Sequence, residues 1–187
     1  MRVVGFACSP RRGGTTESLL DLALAEVAGN GTTIVKHQIA KLNIQPCVAH
    51  PGCRDRADCL LTDDFAAVAE SAMDADAVIF AVPVYYWGVP AQLKAFIDRH
   101  VHYYGLRQYA ARAIGLIVIA GDDGLEETED QMHSLLIKGG HAAVPWDDVL
   151  IVRGYANERG EALKQPELTE AARSLGREIR QRLSAGV

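Results

Sequence analysis

Four residues of metal-ligand type crowd one short stretch, CVAHPGCRDRADC at residues 47–59. They are Cys47, His50, Cys53 and Cys59, spaced Cys-x2-His-x2-Cys-x5-Cys. Side chains at that spacing suit an iron–sulfur cluster, a zinc ion, or a loop that holds no metal. Thiolates are the usual cluster ligands, and histidine enters only special centres. A set of three cysteines and one histidine suits tetrahedral zinc, although compact zinc sites pair their ligands across a longer gap. The chain has four cysteines, and the clustered ones point to metal or redox chemistry more than to a disulfide scaffold. The fourth, Cys8, closes the first apolar run and reads as a small buried residue.

Three further stretches carry chemistry. In SPRRGGTTES (9–18) two glycines allow a tight turn into a helix N-terminus, whose partial positive charge suits an anion. The hydroxyls of Ser9, Thr15 and Thr16 and the guanidinium groups of Arg11 and Arg12 add what a phosphate needs. Neither a Walker loop nor GxGxxG is present, and an ordinary capped helix is the plainer alternative. In PVYYWGVPAQLKAFIDR (83–99), Tyr85, Tyr86 and Trp87 precede Gly88 and suit the wall of a flat-ring site, or a subunit interface. Lys94, Asp98 and Arg99 read as a solvated or interface face of the following helix. In AGDDGLEETED (120–130), Gly121 and Gly124 permit close backbone approach, while Asp122, Asp123, Glu126 and Glu127 read as a solvated acidic turn opening a helix. His100, His102, His133 and His141 are scattered and read as surface or helix-end residues.

The elements that must position these stretches alternate along the chain. Apolar runs at 2–7, 32–39, 76–84, 113–121 and 147–154 suit strands, the second more polar and so nearer an edge. Helical periodicity runs through Leu19, Leu20, Leu24 and Val27, and again through Phe65, Val68, Ala69 and Ala72 after a TDD cap. It returns in Leu93, Phe96, Ile97 and Val101 between Pro90 and Tyr103, in Leu125, Met132, Leu135 and Leu136, and from Pro166 to Leu183. Strict alternation implies a parallel sheet with helices on both faces. Five strands favour the flavodoxin-like order 2-1-3-4-5, a three-layer α/β/α arrangement with ligands at the C-terminal ends of strands 1, 3 and 4. The three loops above lie there.

The chain has 187 residues, 49% of them apolar and 23% charged. That suits one globular domain over 1–187. A net charge of −5 gives no reason to expect nucleic acid or an anionic membrane as a partner. No apolar run reaches the roughly 20 residues that span a bilayer, and the N-terminal run is too short for a signal peptide. The cytoplasm is the expected compartment.

Together GFACSPRRGGTTESLL, DADAVIFAVPVYYWGVPAQLKAFIDR and GDDGLEET resemble the NADPH-dependent FMN reductase and iron–sulfur flavoprotein group of flavodoxin-like proteins, over roughly residues 3–130. The resemblance implies FMN, with Ser9, Arg11, Thr15 and Thr16 at its phosphate. Pro83, Val84, Tyr85, Tyr86, Trp87 and Gly88 would border the ring, with Gly121 and Gly124 on its other side. Position 15 is often Asn in such loops, and Thr changes the reach. It implies an oxidoreductase passing electrons from NAD(P)H to a quinone, flavin or other small acceptor, with no catalytic side chain assigned. The nicotinamide would stack on the flavin in a shared cleft. A homodimer or homotetramer is expected, with FIDRHVHYYG (96–105) offering a contact surface. The group's cluster-bearing branch carries Cys-x2-Cys-x2-Cys and a later Cys where this chain has His50. The alternatives are therefore a cluster-bearing electron carrier served by a protein donor such as a ferredoxin, or a non-enzymatic flavodoxin-fold binding protein.

Overall fold

The computed structural model describes residues 1–29, 31–53, 59–104, 109–139 and 141–185. Five strands form one parallel sheet: β1 (Arg2–Ala7), β2 (Thr33–Gln38), β3 (Ala77–Pro83), β4 (Ala113–Ala120) and β5 (Leu150–Tyr155). Their order is β2-β1-β3-β4-β5, as alternation predicts. The central strands β3 and β4 are buried almost throughout and the outer β2 and β5 are not, as expected of a sheet covered on both faces.

Because successive side chains on a strand point to opposite faces, each strand feeds two cores. Val3, Ile79 and Ile117 pack with Leu19 and Leu20 of α1 (Thr15–Val27) and with Leu175 and Ile179 of α5 (Pro166–Ser184). Val4, Phe6, Val78 and Phe80 pack on the other side. There they meet α2 (Phe65–Met73), α3 (Ala91–Arg99) and α4 (Leu125–His133) through Phe65, Phe96 and Met132. Helices α1 and α5 cross so closely that a Cβ on Gly176 would overlap the carbonyl oxygen of Ala23. Among the described residues no helix is long and apolar enough to cross a membrane.

Local hydrogen bonds set two of the element ends. The predicted helix from Pro90 to Tyr103 is α-helical only to Arg99 and continues as a 3₁₀ turn, His100–Tyr103. His100 donates from Nδ1 to the Phe96 carbonyl at 2.8 Å, occupying the acceptor that its own backbone N–H would use in an α-helix. That N–H turns to Ile97 and Asp98 instead. At α2 the expected TDD cap acts from Asp63, whose Oδ1 accepts the Phe65 N–H at 3.1 Å; the side chain of Asp64 caps nothing in the helix.

Of the four histidines expected at the surface or at helix ends, three are buried: His100, His102 and His141 are 1%, 3% and 3% exposed. His100 Nε2 accepts the Tyr109 hydroxyl at 2.9 Å, and the His141 ring meets His100 edge-on at 5.1 Å. Burial pushes the His100 pKa down to about 3, so its ring is neutral, with the proton on Nδ1. His133 lies at the surface side of α4, its ring centroid 4.8 Å from that of Trp146.

Arg99 is a second correction. Lys94 and Asp98 do form an exposed pair at 2.5 Å, but Arg99 is only 2% exposed. It is ion-paired with Asp63, whose side chain is equally buried. Its Nη1 also reaches Gln45 O at 3.4 Å, its Nη2 reaches Leu61 O at 3.2 Å and Cys59 Sγ at 3.3 Å, and its guanidinium lies 4.4 Å from the Phe65 ring centre. Burial pushes the Asp63 carboxyl upward. The Gln45 N–H, the Arg99 guanidinium and the Phe65 N–H outweigh that and hold it below its ordinary range.

Candidate functional site

A cavity of about 670 Å³ opens at the C-terminal ends of β1, β3, β4 and β5, within the roughly 300–1,000 Å³ of small-molecule and cofactor sites. Its floor is the turn from β1 into α1. Gly13 takes a left-handed conformation (φ +57°), and its N–H is held by Glu17 Oε2 at 2.7 Å. Glu17 is in turn paired with Lys36 at 3.1 Å. Burial pushes the Glu17 carboxyl up, but the Gly13 N–H, Lys36 and Gln38 prevail and keep it ionised. Gly14 is the helix N-cap and carries no side chain. The amides of Gly14, Thr15 and Thr16 thus open the helix at the cavity floor, where first-turn N–H groups have no intrahelical partner. Ser9 Oγ accepts the Arg11 N–H at 3.1 Å, which sets the turn.

One wall is the aromatic turn after β3. Tyr86 and Trp87 are consecutive non-glycine residues with positive φ, +53° and +56°, each costing on the order of 1–3 kcal/mol. The strain is held in place at several points. Tyr85 N–H reaches Gly88 O at 2.9 Å, Val89 N–H reaches Gln131 at 3.1 Å, and Trp87 Nε1–H reaches Asp123 Oδ2 at 2.9 Å. The Trp87 indole and the Gly124 N–H together hold the Asp123 carboxyl below its ordinary range. Tyr86 projects at 94% exposure and Trp87 at 49%, while the Arg11 guanidinium lies 5.9 Å from the Tyr85 ring centre.

Ser9, Arg11, Thr15, Thr16, Pro83, Val84, Tyr85, Tyr86, Trp87 and Gly121 all line this cavity. Gly88 and Gly124 lie behind its wall. A Cβ on Gly88 would come 2.7 Å from Gln131 Nε2, and one on Gly124 (φ +89°) would come 2.8 Å from Val84 and 3.0 Å from the Trp87 Cα. These two glycines let the aromatic turn pack closely against the start of α4.

Sequence reasoning missed the fourth side. The turn after β5 brings Asn157, Glu158 and Arg159 to the cavity. Asn157 Nδ2 donates to Gly121 O at 3.1 Å, and Thr15 Oγ1 donates to Glu158 O at 2.9 Å. The signal was available, because β5 ends on the same edge of the sheet as β1, β3 and β4.

The described residues of the 47–59 segment do not line this cavity. Cys47 is exposed, its sulfur 3.4 Å from the Ala49 N–H. The Cys53 carbonyl accepts His102 Nδ1–H at 2.9 Å, and the Cys59 sulfur faces Arg99. Residues 54–58 lie outside the described residues. Among the described residues no three His, Cys, Asp or Glu side chains are gathered to hold a metal ion. As folded here, the four candidate ligands do not fit a cluster or a zinc ion.

The cavity does fit FMN: an amide-lined, cation-flanked floor for a phosphate and an aromatic wall for a flat ring. Comparison with known proteins agrees. The chain is 36% identical over 138 residues to an iron-sulfur flavoprotein of Archaeoglobus fulgidus, a match covering 73% of this chain and 62% of that protein. It is 28% identical over 185 residues to an iron-sulfur flavoprotein of Methanocaldococcus jannaschii, covering 96% and 95%. In fold it is similar to the NAD(P)H:quinone oxidoreductase from Methanothermobacter marburgensis, with a TM-score of 0.75 at 19% identity, covering 96% of each chain. The profile of the NADPH-dependent FMN reductase family matches residues 1–156, from β1 through all but the last of the cavity's turns, and the chain belongs to that family.

Proposed function

We propose that the protein is an FMN-dependent oxidoreductase that takes electrons from NAD(P)H and passes them to a quinone, free flavin or another small acceptor. The observation that carries this reading is the single cavity shared by the α1 N-terminus, with its phosphate-suited residues, and the strained aromatic turn. Ser9, Thr15, Thr16 and Arg11 would hold the phosphate, with Pro83, Val84 and Tyr85–Trp87 along the ring and Gly121 at its opposite edge. Bound FMN supplies hydride acceptance and onward electron transfer, which demand orientation and electrostatics from the protein rather than a catalytic triad. Trp87, pinned by Asp123, would fix the ring wall, and the exposed Tyr86 would border the approach of donor and acceptor. The reading includes a single cytoplasmic domain assembled as a homodimer or homotetramer.

A second reading, a cluster-bearing electron carrier, is supported by the names of the relatives. The donor set around Cys47, His50, Cys53 and Cys59 is not gathered for it, and no step is assigned to a cluster. One preparation separates the readings. Protein purified without air should show two flavin absorption bands, bleached by NADPH or NADH, and neither iron nor acid-labile sulfide. Iron and sulfide with a broad absorption shoulder would favour the carrier. A colourless protein that gains no bands with added FMN would overturn both.

A further inference from the structure

We infer that the turn after β5 is a latch over the phosphate end of the cavity, and that Arg159 makes the site select a phosphorylated flavin and hold it. The inference rests on the FMN reading and concerns residues beyond the phosphate loop. The turn is built for one shape. β5 ends at Tyr155, and the Ala156 N–H continues its pairing by reaching Ala120 O at 2.8 Å. The Glu161 carboxylate accepts the N–H groups of both Asn157 and Glu158, at 2.5 and 2.8 Å. These bonds hold the Glu161 carboxyl below its ordinary range. Gly160 turns the chain with φ +75°.

So shaped, the turn is fastened to both loops that flank the cavity. It meets the β4 loop through Asn157 and Gly121. It meets the phosphate loop at three points: Thr15 Oγ1 to Glu158 O, Arg11 Nη1 to Asn157 O at 3.4 Å, and Arg159 Nη2 to Arg12 O. Arg159 Nη2 is 3.9 Å from where a Cβ on Gly13 would stand. A second guanidinium, besides that of Arg11, thus lies beside the glycine turn that opens α1. Arg159 is exposed and its partner is a neutral carbonyl. An anion at the α1 N-terminus would offer it a charge-assisted bond, which is stronger. A flavin without a phosphate would offer nothing there.

The test is flavin binding by the intact protein, freed of any bound flavin and followed by quenching of flavin fluorescence, with FMN and riboflavin as ligands. Wild type should bind FMN much more tightly than riboflavin. Arg159→Ala should weaken FMN about tenfold to a hundredfold, the size expected for one hydrogen bond to a charged group, and should speed FMN release. It should leave riboflavin affinity unchanged, and Arg159→Lys should recover part of the loss. Equal FMN affinity in wild type and Arg159→Ala overturns the inference while leaving the FMN reading intact. So does an equal loss for FMN and riboflavin, which would mark the turn as structural only. Failure of the wild type to bind FMN overturns the FMN reading itself, and the latch with it.

Discussion

At the scale of single residues, the neutral His100 ring is held between a carbonyl that can only accept and a tyrosine hydroxyl that donates. Its folded pKa is far below that of an exposed histidine, about 6.5. The unfolded chain therefore binds a proton at His100 before the folded chain does, and stability falls as pH drops through the window between 6.5 and 3. The expected slope from this residue is about 1.4 kcal/mol per pH unit, and His141, also lowered by burial, adds to it. Urea unfolding between pH 7 and 4 should show the decline. His100→Leu should be less stable at pH 7, because the Tyr109 hydroxyl loses its acceptor, yet show a shallower acid slope. An unchanged slope in His100→Leu would refute the assignment. Nothing local marks His100 for burial: HVHYY reads as an ordinary polar helix end, and it takes Phe65 from earlier in the chain and Tyr109 and His141 from later to enclose the ring.

At the scale of elements, the turns around the cavity were legible where their chemistry is local. Paired glycines before a Thr-rich helix start, and aromatics between prolines at a strand end, announce themselves. Arg99 shows where that legibility ends. Spacing puts it on the polar side of α3 with Lys94 and Asp98, yet it is buried and bonded to Gln45 and Leu61, which flank the 47–59 segment. Replacing it by Ala should leave the Asp63 carboxylate buried without a counter-charge. A loss of about 3–5 kcal/mol is expected, as for other broken buried pairs, measurable by denaturant unfolding. Converting both partners at once, Arg99→Met with Asp63→Leu, should cost less than Arg99→Ala alone. If Arg99→Ala is nearly neutral, the pair does not hold the segment.

At the scale of the whole molecule, the sheet order places four turns around one cavity, so a ligand there bridges elements distant in the chain. Binding that favours the folded state stabilises it by mass action. FMN at one hundred times its dissociation constant should raise the melting temperature by about 5–10 °C, with a smaller rise for riboflavin at equal concentration. Differential scanning fluorimetry at several FMN concentrations measures this. No shift with FMN would argue against the cavity as its site.

The sequence by itself determined what depends on neighbours in the chain. Period-2 and period-3.6 apolar patterns select strands and helices, and their alternation selects a parallel sheet. Glycine, hydroxyl and aromatic residues at strand ends mark where a flavin phosphate and ring are to be sought. What only the tertiary structure decided depends on groups far apart in the chain. Burial of Arg99 and the histidines, the pinning of Trp87 by Asp123 and the arrival of Arg159 beside Gly13 all require elements from distant segments to meet. Propensity and periodicity report a residue's own element. The dielectric, counter-charge and hydrogen-bond partners around a side chain are set by whatever the fold packs over it.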